Sequence, residues 1–441
     1  MVHPHSRLIS LAVSLLLLFL LTACGPFSSA ASGPTSPAST VGGSATSTTG
    51  GASATSTTAP MPPTQTACPP AGTARATVFA PLVLGPHQNI VYIFNQGSSN
   101  GEIKRYDVST GQKVVIAAFP KNSIGEAQIS ADGQWVLFST DDAQGAEVAL
   151  HLVRMDGQGL QTLYCSPNGI GNIHWSPDQK TVVFTDGNVV DLLDLASGHL
   201  WEELSPASTT DSIGRWPATW LDNTHFYTTS DPNGPGQRGA AGDSQENLYA
   251  LDTTKGGFQD GNTLIRVFDY SGFCLSFASS IDAAKLFVST CRVVSAMSAN
   301  IQQGPSTILA EPALGGTPTV VYSTPTLAIT MVRVITRTTM LLLVQNLSGD
   351  TSNNGLWKMN LDGTGLTRLT TSGAGQWSVL NGTSQFPWSN ASRDGNLYAI
   401  KVGSNNETTL QVGSLTGGSP STFASVSNTV GAVYIVGWTT M

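Results

Sequence analysis

The chain has 441 residues, of which 40% are hydrophobic and only 11% are charged, against about 25% charged in an average soluble protein. Its 20 Lys and Arg residues and 28 Asp and Glu residues give a net charge of −8. This balance argues against nucleic acid as a partner, because neutralising phosphates requires a clustered basic surface. The scarcity of Lys and Glu, both strong helix formers, argues against a mostly helical protein. The 46 Gly and 24 Pro residues instead predict frequent turns.

Residues 1–23 predict an export signal. Arg7 precedes an apolar run from Leu8 to Leu21, which at about 14 residues is short for a membrane span of about 20. The small residues before Cys24 resemble the bacterial lipobox. This resemblance implies cleavage before Cys24 and attachment of lipid, such as palmitate, to its sulfur. The alternative is an uncleaved membrane helix with a chance cysteine.

A lipoprotein of this kind would lie in the cell envelope, anchored to the outer face of the cytoplasmic membrane or to the outer membrane. Residues 24–74 carry no charge and consist mostly of Ser, Thr, Gly, Ala and Pro. Such a segment has little apolar surface to bury, so it predicts a disordered tether. About 43 flexible residues have a mean span of about 35–40 Å. The folded domain is expected over residues 75–441.

Four further cysteines allow three disulfide pairings: Cys68, Cys165, Cys274 and Cys291. The segment 273–292 predicts a β-hairpin that turns near residues 281–283. Cys274 and Cys291 are equidistant from the centre of that turn and are expected to face each other across it. Cys68 with Cys165 then follows by elimination. Free buried thiols are the alternative, and the absence of a CxxC motif or a Cys/His pair disfavours metal binding.

From Asn89 onward the sequence alternates short predicted strands with turn signals, and the pattern repeats. Ala127–Thr140 (AQISADGQWVLFST) and Asn172–Asp186 (NIHWSPDQKTVVFTD) each contain a Ser, then a D-G or D-Q turn, then an apolar strand. Three segments are weaker copies of this unit: Ala218–Ser230, Ser276–Thr290 and Pro387–Ile400. The repetition of this unit along the chain predicts an array of similar small sheets.

The W-S-P-D-x-K motif of Trp175–Lys180 and the L-D-G pattern of Leu361–Thr370 resemble the TolB-like, WD40-like family of β-propellers. The resemblance covers Ala127–Ser230 and Leu356–Ile400 well and the middle of the chain only by pattern. It implies an all-β fold in which four-stranded blades surround a central channel.

The blades can be counted from their first strands. Six such strands are expected to begin near Ala127, Asn172, Ala218, Phe273, Ile329 and Phe386. Ile90–Phe119 supplies three more strands without a first strand, and Val430–Met441 supplies a first strand with nothing after it. Joining these two pieces predicts a seven-bladed propeller closed by N- and C-terminal strands that share one blade. Six or eight blades are the alternatives, because the stretch Leu264–Val344 is irregular.

The repeated residues first indicate structural roles. Asp132, Asp178 and Asp394 are expected to accept backbone N–H bonds in hairpin turns. Four tryptophans at strand ends are expected to pack between neighbouring blades: Trp175, Trp220, Trp388 and Trp438. A ligand-binding aromatic surface is the alternative for these tryptophans.

Few motifs in the sequence indicate catalysis. Gly97–Gly101 spells G-x-S-x-G, but it is expected in a loop between two strands rather than at a strand-to-helix elbow. Of the seven His residues, His3 and His5 lie in the predicted signal, and the other five are scattered without the spacing of zinc ligands. The sequence therefore predicts neither a catalytic set nor a metal site.

The best candidate for function is a set of loops expected at one face of the propeller, since loops on a rigid scaffold often carry function. They are Asn95–Gly101, Asp141–Glu147, Ser230–Asn247 and Asn346–Gly355. Seven carboxylates in these loops form the predicted binding face: Asp141, Asp142, Glu147, Asp231, Asp243, Glu246 and Asp350. Ca²⁺ would suit such oxygen ligands. Ordinary solvated loops are the alternative.

These features together predict a membrane-anchored, extracytoplasmic propeller that acts as a binding or scaffold module for a protein or glycan partner. Two other functions stay open. One is a propeller-type carbohydrate-active enzyme, a glycosidase or lyase, with paired carboxylates at the channel mouth. The other is a sensor or solute-binding subunit of a membrane system.

Overall fold

The computed structural model of the chain describes residues 67–70, 72–73, 76, 82–142, 148–187, 189–204, 214–231, 247–255, 264–268, 273–296, 299–346, 350–373, 375–380 and 386–441. Within these ranges the chain forms 28 β-strands in seven antiparallel sheets of four strands each. A four-residue α-helix, α1, and a three-residue 3₁₀ helix, Thr253–Lys255, interrupt them. The predicted all-β propeller with seven blades is confirmed.

The elements in chain order are β1 (Gln88–Gln96), β2 (Asn100–Asp107), β3 (Lys113–Phe119), β4 (Asn122–Ile129), β5 (Trp135–Asp142), β6 (Val148–Arg154), β7 (Gln161–Ser166), β8 (Ile170–Trp175), β9 (Thr181–Asp186), β10 (Val189–Asp194), β11 (Leu200–Leu204), β12 (Gly214–Trp220), β13 (His225–Asp231), β14 (Asn247–Asp252), β15 (Leu264–Phe268), β16 (Phe273–Ser279), β17 (Lys285–Ala296), β18 (Ala299–Pro312), β19 (Thr319–Thr324), β20 (Ile329–Val334), β21 (Thr339–Val344), β22 (Gly355–Asn360), β23 (Thr367–Arg368), β24 (Trp377–Val379), α1 (Pro387–Asn390), β25 (Leu397–Gly403), β26 (Glu407–Ser414), β27 (Ser421–Ser427) and β28 (Gly431–Thr440). Successive groups of four strands from β4 to β27 form blades 1 to 6.

Blade 7 closes the ring with strands from both ends of the chain, in the order β28-β1-β2-β3. β28 pairs with β1 along its length, from Gln88 opposite Thr440 to Gln96 opposite Gly431. The backbone N–H of Met441 also donates to the carbonyl of His87 over 3.0 Å. The predicted closure by shared terminal strands is therefore confirmed.

The first strand of each blade lies at one edge of its sheet, which we call the inner edge. The first strands of blades 7, 1, 2 and 3 contact one another in turn, as do those of blades 4 and 5. The pairing of the first strand with the second strand is interrupted by a bulge in six of the seven described sheets, as between Gly171 and His174 in blade 2. A bulge bends and twists the strand that carries it. This repeated bulge shapes the inner strands, whose polar side chains are considered below.

A Ser-x-Asp motif builds the turn between the first and second strands. In blade 2, Ser176 Oγ donates to Asp178 Oδ1 over 2.8 Å and accepts the N–H of Thr181 over 3.0 Å. The N–H of Lys180 donates to the same Asp178 oxygen over 3.2 Å. The motif recurs as Ser130/Asp132, Ser280/Asp282 and Ser392/Asp394. The predicted turn role of Asp132, Asp178 and Asp394 is confirmed.

Three of the four tryptophans occupy the predicted place between blades. Trp175, Trp220 and Trp438 are buried in apolar clusters whose members come from adjacent blades. Trp388 is only half-buried: it packs against the apolar cluster of blades 7 and 1, and it also lines a pocket described below.

The first strand of blade 6 begins at Trp377, and the expectation that it begins near Phe386 is wrong. Residues 387–390 form α1 instead, followed by a single bridge between Ala391 and Tyr398. Trp388 is not equivalent to Trp175 in the repeat. Trp175 lies three residues before its turn aspartate, whereas Trp388 lies six residues before Asp394.

Cys68 and Cys165 form a disulfide with a Cα–Cα distance of 5.8 Å. The side chains of Cys274 and Cys291 lie outside the described residues. Their backbones pair Phe273, rather than Cys274, with Cys291, because a bulge lies between Phe273 and Ser276. The predicted signal peptide, Cys24 and the tether as far as residue 66 also lie outside the described residues.

The described part of the chain before β1 contacts the propeller. The backbone N–H of Ala76 donates to the carbonyl of Leu195 over 2.8 Å, and that of Leu82 donates to Gln134 Oε1 over 2.8 Å. With the Cys68 disulfide, these contacts attach the segment to blades 1 and 2. No helix among the described residues is long and apolar enough to cross a membrane.

Candidate binding sites at the two faces of the propeller

We call the side that carries the loops between second and third strands the loop face, and the side that carries the turns between first and second strands the turn face. Of the predicted acidic residues on the loop face, Asp141 lies at the end of β5 and Asp350 in the loop before β22. The backbones of Asp142 and Asp231 end β5 and β13, but their side chains lie outside the described residues. Glu147, Asp243 and Glu246 lie outside them altogether.

Asp350 serves its own loop. Its Oδ1 accepts the N–H of Ser352 over 2.8 Å, and its carbonyl accepts a bond from Asn346 Nδ2 over 2.8 Å. The hydrogen bonds from Ser352 lower the pKa of the Asp350 carboxyl. Asp350 therefore stays ionised and shapes the loop, and its membership of a binding face remains a prediction.

Glu126, which the sequence interpretation missed, is a carboxylate of the inner strand β4. Its Oε2 accepts the N–H of Ile173, on the inner strand of blade 2, over 2.9 Å. Burial raises the pKa of the Glu126 carboxyl, and the nearby Asp141 raises it further, although hydrogen bonds from Ile173 and Asn172 oppose this. No signal in the sequence marks Glu126, because a polar residue within a strand is ordinarily read as facing solvent.

Glu126 lines a cavity among the inner regions of blades 6, 7 and 1, which we call the channel pocket. Its volume is about 160 Å³, and its charged and aromatic lining consists of Glu126, Lys401 and Tyr434. Val379, Leu380 and Ile435 supply apolar wall. The Lys401 ammonium lies 3.9 Å from the ring centroid of Tyr434 and 5.5 Å from that of Trp377. Burial lowers the pKa of Lys401.

A larger cavity lies on the turn face, and we call it the turn-face pocket. It has a volume of about 370 Å³ and is formed by the turns of blades 2, 3 and 4 together with the α1 region. Its main apolar lining residues are Trp220, Leu221, Ile281, Phe386 and Trp388. Ile281 is among the exposed large apolar side chains. The predicted binding face lies on the other side of the propeller.

The α1 side of this pocket is held rigidly. The rings of Phe386 and Trp388 stack with centroids 4.6 Å apart and planes 14° apart. Trp388 Nε1 donates to the carbonyl of Ile129 over 3.1 Å, and the Arg393 guanidinium lies 4.8 Å from the Trp388 ring centroid. Arg393 also donates to the carbonyls of Ser130, Ala131 and Trp438 over 2.7–3.1 Å. The aromatic wall is therefore fixed before any ligand binds.

Two carboxylates, Asp222 and Asp282, lie at the turn-face pocket. Asp222 Oδ1 accepts the N–H groups of Thr224 and His225, each over 2.7 Å. Asp282 Oδ1 accepts the Ser280 hydroxyl over 2.6 Å. These hydrogen bonds lower the pKa of Asp222 against the opposing effect of its burial, and they lower that of Asp282. The pocket thus combines apolar walls with two ionised acids.

Neither Asp222 nor Asp282 is tuned as a general acid. Both carboxylates are engaged by their own turns and have lowered pKa values, whereas a general acid needs a raised one. Among the described residues, no group of three or more His, Cys, Asp or Glu side chains is placed to hold a metal ion.

Comparisons with known proteins agree with the fold. No protein-family model matches the chain. An uncharacterized WD repeat-containing protein of Synechocystis sp. is 28% identical over 137 residues, a match that covers 30% of this chain and 36% of the relative. The chain thus matches about a third of that relative's length.

Two solved structures illustrate the similarity of fold. A prolyl endopeptidase superposes with a TM-score of 0.51 at 11% identity, covering 82% of this chain and 50% of that chain. TolB from Acinetobacter baumannii gives a TM-score of 0.39 at 14% identity, covering 63% and 62%. At 11% identity the similarity to the prolyl endopeptidase shows the fold alone. The chain is a β-propeller repeat protein.

Proposed function

We propose that the chain is an extracytoplasmic binding propeller, held at a membrane by lipid on Cys24, whose partner docks at the turn-face pocket. The observation that carries the proposal is this preformed pocket of about 370 Å³. Ligand pockets are commonly apolar concavities of about 300–1,000 Å³ with a few placed polar groups. The turn-face pocket meets this description, and the Ser-x-Asp turns make its rim rigid.

The lining favours a protein partner over a glycan. Trp220, Leu221 and Ile281 with the Phe386–Trp388 stack offer an apolar surface for one large apolar side chain. Such anchors in desolvated pockets dominate protein interfaces. The ionised Asp222 and Asp282 favour a Lys or Arg beside that anchor. A sugar ring would stack an apolar face on the aromatic rings alone, whereas the exposed aliphatic side chain of Ile281 adds a surface suited to a protein side chain.

The test is capture of partners from detergent-solubilised envelope, identified by mass spectrometry, with the full chain as bait. Ile281→Asp and Phe386→Ala are expected to lose a partner that the wild type retains. Val320→Asp is the matched control, because Val320 is 65% exposed on the outer strand β19, remote from the pocket. Retention of every specific partner by both pocket variants contradicts the proposal, as does equal loss in the control.

The lipid anchor is tested separately. Cys24→Ser is expected to block labelling by an alkyne analogue of palmitate and to move the protein from the membrane fraction to the soluble fraction. Its folded domain should keep the wild-type melting temperature, because Cys24 precedes every described residue. Unchanged membrane association without labelling would support the uncleaved-helix alternative and contradict the lipoprotein assignment.

A further inference from the structure

We infer that the partner of the turn-face pocket is an extended peptide segment with a second large apolar side chain, which it places in a neighbouring cavity that we call the ridge cavity. Between these two anchors the segment crosses the turn at residues 176–181 of blade 2 and presents an acidic side chain to Lys180. The inference rests on the proposed function, because the first anchor lies in the turn-face pocket, and it adds the form and the charge pattern of the partner.

The ridge cavity lies on the turn face and is lined by residues of blades 1 and 2 and by Ala76 of the preceding segment. Its volume is about 280 Å³, and its main apolar lining residues are Trp135, Leu152, Trp175 and Leu195. A cavity of about 150 Å³ with apolar walls holds a benzene molecule. The ridge cavity therefore has room for one leucine, phenylalanine or tryptophan side chain.

One turn separates the ridge cavity from the turn-face pocket. Pro177 lines the turn-face pocket, whereas Gln179 and Lys180 of the same turn line the ridge cavity. The N–H of Ser176 donates to the carbonyl of Thr181 over 2.8 Å, which keeps this turn narrow. Packed sheets lie about 10 Å apart, and an extended chain advances about 3.3 Å per residue. The two anchors are therefore expected about three or four residues apart in the partner.

A hydrogen bond joins the walls of the two cavities. Trp220, which lines the turn-face pocket, donates from Nε1 to the carbonyl of His174 over 3.0 Å. His174 directly precedes Trp175, which lines the ridge cavity, and both tryptophans are almost fully buried. The separation of the cavities is thus set before the partner binds. A segment with the matching spacing meets two preformed sites, which lowers the entropic cost of binding.

The charge changes sign along the path between the cavities. The two carboxylates described above lie at the turn-face pocket, whereas Lys180 lies at the ridge cavity with 74% of its side chain exposed. Its ion pair with Asp178 is long, at 3.6 Å, so the ammonium can also bind a carboxylate of the partner. Asp132 lines the ridge cavity too, but the Arg393 guanidinium offsets its charge. This pattern favours a basic residue beside the first anchor and an acidic residue before the second.

The first test is selection from an mRNA-displayed library of random twelve-residue peptides, with the detergent-solubilised full chain as bait. Enriched peptides are expected to carry two large apolar residues three or four positions apart, a Lys or Arg beside one of them, and an Asp or Glu between them. Enrichment of peptides with a single apolar anchor overturns the inference and leaves the proposed function standing. Absence of any enrichment contradicts both.

The second test fills the ridge cavity. Ala196 lines this cavity and is exposed, so Ala196→Trp adds bulk there without removing a buried group. It is expected to weaken binding of the most enriched peptide, synthesised and measured by isothermal titration calorimetry, at least ten-fold. Lys180→Glu should weaken the same binding at least five-fold. Ala118→Trp is the matched control and should bind as the wild type does, because Ala118 is exposed on the outer strand β3 of blade 7.

Ile281→Asp distinguishes failure of the inference from failure of the proposed function. Loss of peptide binding in Ile281→Asp with wild-type affinity in Ala196→Trp overturns the inference alone, whereas wild-type affinity in both variants contradicts both. A lowered melting temperature of Ala196→Trp with unchanged peptide affinity also overturns the inference, because the cavity would then serve only the packing of the segment that carries Ala76. If Ala196→Trp does not fold, a peptide with its second anchor replaced by serine decides the matter. Binding of that peptide as tight as that of its parent overturns the inference.

Discussion

At the scale of single residues, the few charges of the folded body stabilise contacts between blades. Arg393 joins α1 to the carbonyls of blades 1 and 7. Arg333 is buried on the inner strand of blade 5, where Nη1 donates to the carbonyl of Val332 over 2.8 Å and lies 3.3 Å from Ser276 Oγ in blade 4. Glu126 joins blades 1 and 2. Several of the few charged residues of the folded body therefore have structural roles.

Arg393→Ala is expected to lower the free energy of unfolding by about 3 kcal/mol, because it leaves three carbonyl groups without their donor. Arg393→Lys should recover only part of this, since an ammonium cannot reproduce the planar fork of the guanidinium. Urea unfolding, monitored by tryptophan fluorescence, gives the free energy of unfolding of both variants. A loss below about 0.5 kcal/mol in the alanine variant would show that water replaces these bonds.

The buried carboxyl of Glu311 is expected to make the stability of the folded protein depend on pH. Its side chain is only 3% exposed, and Oε1 has no hydrogen-bond partner among the described residues. Burial raises the pKa of the carboxyl from 4.5 to about 7. The folded state therefore binds the proton more tightly than the unfolded state. The stability gained from this tighter proton binding is complete below pH 4.5 and is lost as the pH rises to about 7.

The difference in melting temperature between Glu311→Gln and the wild type isolates this effect. The glutamine resembles the protonated acid, so the variant should match the wild type near pH 4.5 and exceed it above pH 7. Above pH 7 the free energy of unfolding of the variant is expected to exceed that of the wild type by about 3 kcal/mol. Tyr227, whose neighbourhood Glu311 shares, is unchanged in both proteins. A constant difference across this pH range would contradict the prediction.

At the scale of elements, the Ser-x-Asp turn is the unit that the sequence displays most clearly. The motif is local: the serine, the aspartate and the amides they bind lie within six consecutive residues. A residue in the left-handed region follows each aspartate, as at Gly133 (φ 77°) and Gly395 (φ 71°). Local chemistry of this kind is visible in the sequence. It recurs in blades 1, 2, 4 and 6, so the other blades are recognised only by their strand pattern.

Ser176→Ala should cost about 1–2 kcal/mol of stability, because it removes the hydroxyl that joins Asp178 to the N–H of Thr181. Lys180→Ala in the same turn is the control. Its side chain is exposed and its ion pair with Asp178 is long, at 3.6 Å, so the expected change is below about 0.5 kcal/mol. Thermal unfolding of the two variants side by side provides the measurement. Equal losses of stability in the two variants would mean that the Ser176 hydroxyl does not stabilise the turn.

The sequence predicted neither pocket, because each gathers residues from distant turns and strands. The alternative of an aromatic binding surface named Trp220 and Trp388, which line the turn-face pocket, but it did not bring them together at one site. The channel pocket joins Glu126 of blade 1 to Lys401 of blade 6 and Tyr434 of blade 7. The turn-face pocket depends on α1, which departs from the repeat at Phe386. The repeat pattern shows the residues that the blades have in common. Both pockets depend instead on residues in which particular blades differ.

At the scale of the whole molecule, the pairing of β28 with β1 closes the ring. Deletion of Gly431–Met441 would leave blade 7 with three strands and expose the edge of β1, which invites association with other chains. The shortened protein is expected to lose cooperative unfolding and to aggregate, as seen by urea titration and size-exclusion chromatography. A chain that begins at Ala67 should keep the wild-type transition. A monomeric deletion variant with an unchanged midpoint would refute the role of the closure.

The disulfide between Cys68 and Cys165 has a mechanical consequence. Any pull on the chain before Cys68 is transmitted through that bond to β7, the outer strand of blade 1. It bypasses β1, so tension does not peel apart the strand pair on which the ring depends. With the bond reduced, the same force would run through Ala76 and Leu82 to the beginning of β1. The disulfide thus protects the pairing of β28 with β1, which closes the ring, from tension on the preceding chain.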